Sequence, residues 1–254
     1  MMTSTKSTRS KPHAGAWLLA ASLAAAAGSA QAATYVETFS GPLNGTLWDL
    51  DALGNDYEVS GGELIFTRHS GDSSRLSFLP ELIGNFDVSF EYRLIQWDFV
   101  NAGGDRLQLD VSSGGVGHAV GRAQELGASS PFAYFGKVAD LPCCASSSLP
   151  EGSVGHGALR IVRADGIVSV MFKDGSGSWE TLQQSTEDPR NLQAGFSAYI
   201  HNGYRDGTSY AIDNFVLSAE GFTAPVPEPS HGAMLACGLA VVSWLSRRRR
   251  RPSA

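Results

Sequence analysis

Strict two-residue alternation constrains this chain more than any other feature. From Phe86 to Leu94 every even position is apolar or aromatic (Phe86, Val88, Phe90, Tyr92, Leu94), and every odd position is polar (Asp87, Ser89, Glu91, Arg93). Successive side chains of a strand point to opposite faces, so this segment predicts a β-strand with one buried and one wet face. Leu107, Leu109 and Val111 alternate likewise with Arg106, Gln108 and Asp110. Two hairpins are legible. Tyr57 to Val59 turns at Ser60-Gly61-Gly62 into Glu63 to Thr67, and Leu159 to Arg163 turns at Ala164-Asp165-Gly166 into Ile167 to Phe172. The Asp-Gly step tolerates the positive φ such a turn requires. Further strands are expected over Trp179 to Leu182, Gly195 to Ile200 and Tyr210 to Leu217. No helical stripe appears between Thr34 and Ala224. With 29 glycines and only 17% charged residues, the pattern predicts an all-β, antiparallel two-sheet jelly-roll sandwich over residues 34–224.

The two ends read as addresses. Lys6, Arg9 and Lys11 precede the apolar stretch Ala14 to Ala27, and Ala30-Gln31-Ala32 supplies a small-x-small site. This is the layout of a secretory signal over residues 1–33, with signal peptidase cleaving after Ala32 or Ala33. An uncleaved N-terminal anchor is the alternative. At the other end Val226-Pro227-Glu228-Pro229-Ser230 leads into an apolar run, His231 to Ser246, and then into Arg247 to Arg251. A short apolar helix closed by arginines keeps those arginines cytoplasmic and the preceding domain outside. The order of the three parts over residues 225–254 resembles the PEP-CTERM sorting tail. That resemblance implies recognition and removal by a membrane-embedded exosortase, with release to the cell surface or the exopolysaccharide matrix. A plain single-pass anchor is the alternative.

Between Thr34 and Pro227 there are 11 basic and 24 acidic residues, a balance of −13. A domain of that charge repels phosphate backbones, which argues against a nucleic-acid partner. Export makes Cys143 and Cys144 informative, since they are adjacent in the expected loop Leu141-Pro142-Cys143-Cys144-Ala145. A vicinal or inter-chain disulfide is one reading and inert thiols the other; two neighbouring thiolates make a poor zinc site.

A second resemblance covers the middle of the chain. The opening Glu37-Thr38-Phe39-Ser40-Gly41-Pro42-Leu43-Asn44-Gly45-Thr46-Leu47-Trp48 resembles the start of concanavalin A-like, laminin-G-like sandwiches. The run from Leu159 to Trp179 and the ending Ile212-Asp213-Asn214-Phe215-Val216-Leu217 are similar to their late strands. It implies a lectin-like jelly roll and no particular sugar.

Catalytic signals are absent from the sequence. The Glu-x-Asp-x-x-Glu run of related glucanases is missing, as are a Gly-x-Ser-x-Gly elbow and a phosphate-binding loop. Gly115-Val116-Gly117-His118-Ala119-Val120-Gly121 reads as a glycine-rich turn, and His69, His118, His156 and His201 as surface or loop histidines. Asp49, Asp51, Asn55 and Asp56 cluster oxygens that would suit a structural Ca2+, against a solvated acidic loop as the alternative. Sugars need aromatic faces beside polar groups. Two loops offer that mixture, one with Trp97, Asp98, Asp105 and Arg106, the other with His201, Tyr204 and Arg205; core packing of Trp97 and Tyr204 is the plainer account. The expectation is an exported, non-enzymatic module that binds extracellular polysaccharide. A structural matrix protein and a divergent carbohydrate-active enzyme are the alternatives.

Overall fold

The structure is a computed structural model, and it describes residues 32–50, 56–69, 74–97, 104–113, 116–124, 132–139, 141–142, 144–148, 155–186, 190–201 and 207–223. Residues 1–31 of the expected signal segment, Cys143 and the sorting tail lie outside these residues. Thirteen strands follow in order: β1 Ala33–Glu37, β2 Tyr57–Ser60, β3 Glu63–Thr67, β4 Ser74–Gln96, β5 Gly104–Ser113, β6 Val116–Gln124 and β7 Phe132–Lys137, then β8 Ala145–Ser148, β9 His156–Ala164, β10 Ile167–Asp174, β11 Glu180–Thr186, β12 Leu192–His201 and β13 Ser209–Phe222. All pairings are antiparallel.

The long strand β4 divides the architecture into two layers. Its first half, Ser74 to Leu82, pairs with β12, and the front sheet continues through β5, β6, β7 and β8. Its second half, Phe86 to Arg93, lies between β9 and β13 in the back sheet, which ends at β11 on one side. On the other side β13 carries β3 along its first residues and β1 along its last. Strands β5, β6 and β7 face β9, β10 and β11 across the interior. Gly84, at φ 69°, lies where β4 leaves one sheet for the other. Arg163 holds this corner, donating through Nε to the Gly84 carbonyl at 2.8 Å and through Nη1 to the Arg190 carbonyl at 2.7 Å.

The alternation read from Phe86 to Tyr92 sets the core as expected. Phe86, Val88, Phe90 and Tyr92 are buried, opposite Leu159 and Ile161 of β9 and Val170 and Phe172 of β10. Trp48 is fully buried among Tyr35, Phe78, Phe196 and Phe215, and its indole N–H donates to Tyr35 Oη at 3.1 Å. A large ring with a satisfied polar edge joins the chain's opening segment to both sheets. The Asp165-Gly166 turn has φ 51° and 75°, which is the left-handed backbone that this dipeptide admits.

The segment 115–121 departs from its sequence reading. Apart from Gly115 it belongs to strand β6, not to a turn. His118 is also not a surface residue; it is 1% exposed, and its Nδ1 accepts a hydrogen bond from the Ala139 N–H at 3.2 Å.

Candidate functional site

Strand β6 inverts the usual alternation, and this creates a site. His118, Val120 and Arg122 point into the interior, opposite Val111, Leu109 and Leu107 of β5. The outward positions are therefore Gly117, Ala119, Gly121 and Ala123. A strand with no outward side chain beyond a methyl leaves a trough between its neighbours. One wall is the outward row of β5, Arg106, Gln108, Asp110 and Ser112. The other is Phe135 and Lys137 of β7. The cavity here measures about 380 Å³, and Arg75, Ser197 and Cys144 complete its rim.

Its side chains are held in place. The Phe135 ring occupies the space above Gly121 that a Cβ would fill, and Arg106 lies over that ring with its guanidinium carbon 4.8 Å from the centroid. A cation over an aromatic face is attracted by the ring quadrupole, so Arg106 is presented from a fixed support. Asp110 is 8% exposed and accepts from Arg75 Nη2 at 2.6 Å and from Ser197 Oγ at 3.2 Å. Arg75 Nη2 also reaches Ser112 Oγ at 3.4 Å. A buried carboxylate with both oxygens engaged keeps its orientation. Together these groups offer hydroxyl-binding donors and acceptors along one open groove. Cys144 on the rim is disulfide-bonded.

The residues singled out in the sequence fall in several places. Arg106 stands in the trough. Asp105 pairs with Ile200, and His201 with Gly104, so these two strand ends lie side by side at one end of the front sheet. Trp97 packs on the core 6.2 Å from the Tyr210 ring, and among the described residues its buried indole N–H has no hydrogen-bond partner. Asp98, Tyr204 and Arg205 lie outside the described residues. Of the proposed calcium ligands, Asp56 is buried and accepts from the His69 N–H at 3.0 Å and Ser74 Oγ at 2.6 Å, which ties β3 to β4. Asp49 is half-buried, while Asp51 and Asn55 lie outside the described residues. Among the described residues no three His, Cys, Asp or Glu side chains gather as a metal site. Arg75, Asp110, Phe135 and Lys137 were not singled out by sequence reasoning. The alternating small residues of β6 were the available signal, but glycines beside a histidine read as a turn.

A second cleft of about 400 Å³ lies on the outer face of the back sheet. Glu91 and Asp213 face each other across β4 and β13, with Arg93, His156 and Lys173 nearby. Arg93 is ion-paired with Glu63 at 2.6 Å, and Glu91 accepts from Asn214 Nδ2 at 3.1 Å. Beneath its floor, Tyr92 and Tyr134 share a hydrogen bond, and Tyr134 donates to Asp174 Oδ1 at 2.9 Å. Arg122 lies over the Tyr134 ring at 5.0 Å. Burial pushes the Tyr92 phenol up to about 12 and raises Tyr134 as well. This buried chain joins the two sheets.

No family model matches the chain, and no curated protein sequence does. Solved structures do resemble it. The acidic lectin of winged bean, complexed with methyl-α-D-galactose, aligns with 76% of this chain and 100% of its own at 13% identity and a TM-score of 0.55. The exoplasmic/lumenal domain of VIP36, in a form bound to Ca2+ and Man2, aligns with 76% of this chain and 90% of its own at 12% identity and a TM-score of 0.52. The carbohydrate recognition domain of Emp47p covers 72% of this chain and 93% of its own at 12% identity, with a TM-score of 0.51. At these identities the likeness is one of fold: the all-β, concanavalin A-like sandwich of legume-type lectins.

Proposed function

We propose that this chain is an exported, non-enzymatic module that binds carbohydrate in the front-sheet trough. The observation that carries the reading is the trough itself, a groove floored by Gly117 and Ala119 and walled by oriented polar groups. Saccharides bind where a low floor admits the ring and fixed donors and acceptors meet its hydroxyls. The Asp110 carboxylate and the supported Arg106 supply both kinds of partner. Lectin-fold neighbours favour the same reading, and the sequence carries no hydrolase constellation.

Delivery is the second part of the proposal. Signal peptidase removes residues 1–33, or stops one residue short. An exosortase then recognises Val226 to Ser230, removes the tail and leaves the domain at the surface or in the polysaccharide matrix. The test of binding is calorimetry of the purified chain against a broad saccharide panel. Saturable binding is expected, weakened about tenfold or more by Arg106→Ala or Asp110→Asn in folded variants. Binding that neither substitution moves would place the site elsewhere. A folded chain that binds nothing on the panel would leave a structural matrix component as the better account.

A further inference from the structure

A turn near the start of the domain carries a feature that neither the fold nor the trough uses. Of the chain's seven asparagines, Asn44 alone is followed two positions later by Ser or Thr, in Asn44-Gly45-Thr46. All three residues are exposed. Asn44 Oδ1 accepts from the Thr46 N–H at 2.9 Å and from Thr46 Oγ1 at 2.9 Å. Among the described residues Asn44 Nδ2 has no hydrogen-bond partner, whereas Asn191 Nδ2 donates to Glu81 and Asn214 Nδ2 to Glu91. The turn is pinned from behind. The Asn44 carbonyl accepts from the Leu47 and Trp48 N–H groups at 2.9 and 3.0 Å, and both of those side chains are buried. A bulky group on Nδ2 therefore extends into solvent without displacing a core residue.

We infer that Asn44 is an N-glycosylation acceptor, modified by an oligosaccharide carried on a polyprenyl pyrophosphate. The inference rests on the export reading, because transferases that use such donors act on the outer side of the membrane. It is independent of what the trough binds. The step balances with that donor alone. Asn44 Nδ2 attacks the anomeric carbon, the bond from that carbon to the pyrophosphate oxygen breaks, and its electron pair leaves with the polyprenyl pyrophosphate. The amide proton passes to a carboxylate base of the transferase. A plain turn at this place needs only the Asn44 oxygen and the Thr46 N–H. The Thr46 hydroxyl and the unbonded carboxamide nitrogen are surplus to the turn, and they are the two groups the modification requires. The turn also stands clear of the trough. Leu47 and Asp49 bond to Leu79 and Ser77 of β4, and β12 and β5 separate β4 from β6. At about 4.8 Å per strand, β6 lies about 14 Å across the sheet from β4. None of residues 44–46 lines the trough.

The experiment reads the mass of the protein purified from the cells that make it, after fractionation has shown which compartment it came from. The peptide containing Asn44 is expected to carry a saccharide, and fragmentation that spares the glycan places it on that residue. Asn44→Asp keeps an oxygen for both Thr46 donors and so keeps the turn, but it has no nitrogen to modify; the added mass is lost. Thr46→Ala loses it as well, and Thr46→Ser retains it. A chain lacking residues 1–33 stays in the cytoplasm and carries no saccharide. Thermal melts confirm that the point variants are folded. A chain recovered outside the cytoplasm with an unmodified Asn44 overturns the inference and leaves the export reading standing. A full chain that remains in the cytoplasm, unmodified, overturns both. A saccharide that persists in Asn44→Asp sits on another residue and overturns the assignment to this turn.

Discussion

At the residue scale the buried tyrosines dictate how the domain meets alkali. Burial is the leading cause that raises Tyr35, Tyr57, Tyr92 and Tyr134 above the usual phenol value, with Tyr92 pushed up to about 12. The folded state keeps these phenols protonated where an unfolded chain would lose the protons near pH 10. Above that pH the unfolded state binds fewer protons, so stability is intact below about pH 10 and falls as pH climbs toward 12. For each of the buried Tyr57 and Tyr92 the slope is about 1.4 kcal/mol per pH unit where the unfolded phenol has lost its proton and the folded one has not. Urea midpoints measured from neutral pH upward, with tyrosinate absorbance followed in parallel, check this. The expected result is a first group of freely titrating phenols, then a cooperative release at unfolding. A smooth titration of all seven tyrosines near pH 10 with no loss of structure would refute it.

At the element scale, legibility depended on whether a strand obeys the hydropathy rule. Phe86 to Leu94 does, and both its class and its buried face were readable. Strand β6 does not, since its inward positions include His118 and Arg122 and its outward ones are glycine and alanine. Those two polar side chains are accommodated by partners that only the tertiary structure supplies, the Ala139 N–H and the Tyr134 ring. The candidate site therefore lies on a strand whose pattern is reversed, and single-sequence reasoning found Arg106 but not the small residues of β6. The full length of β4 was also hidden, because Pro80 and Gly84 interrupt its alternation. Gly84 shows why the interruption matters. Its φ of 69° is left-handed, and a Cβ there would collide with the Glu220 side chain. Gly84→Ala is expected to cost about 1–3 kcal/mol, combining backbone strain with displacement of Glu220. The denaturant midpoint reports it, and an unchanged midpoint would show that the corner does not depend on this backbone.

At the scale of the whole molecule, the strands that open and close the domain lie side by side. Ala33 of β1 pairs with Ala219 of β13, so the chain enters and leaves at the same end of the back sheet. The exit is fastened where the Thr223 N–H donates to the Glu81 carbonyl at 3.1 Å and the Glu81 N–H donates to Thr223 Oγ at 3.0 Å. Just before it, Phe222 packs 6.2 Å from the Phe78 ring, and Gly221 and Phe222 pair with Ile83 and Leu82. Cleavage after Ala32 would spare every residue of β1, and removal of residues 225–254 would spare every described contact of β13. The described contacts that hold the domain thus stand apart from the proposed address segments. A chain ending at Thr223 is expected to keep its melting transition and saccharide binding while failing to accumulate at the cell surface. A chain ending at Ser218 loses Phe222 and the β13–β4 pairs beyond it. It is expected to be destabilised by about 3 kcal/mol or more, the usual cost of emptying an aromatic site in a core. Thermal melts of both truncations, with fractionation of cells producing each, separate the two roles. If the chain ending at Thr223 unfolds, the tail is part of the fold; if it still reaches the surface, residues 225–254 are not its address.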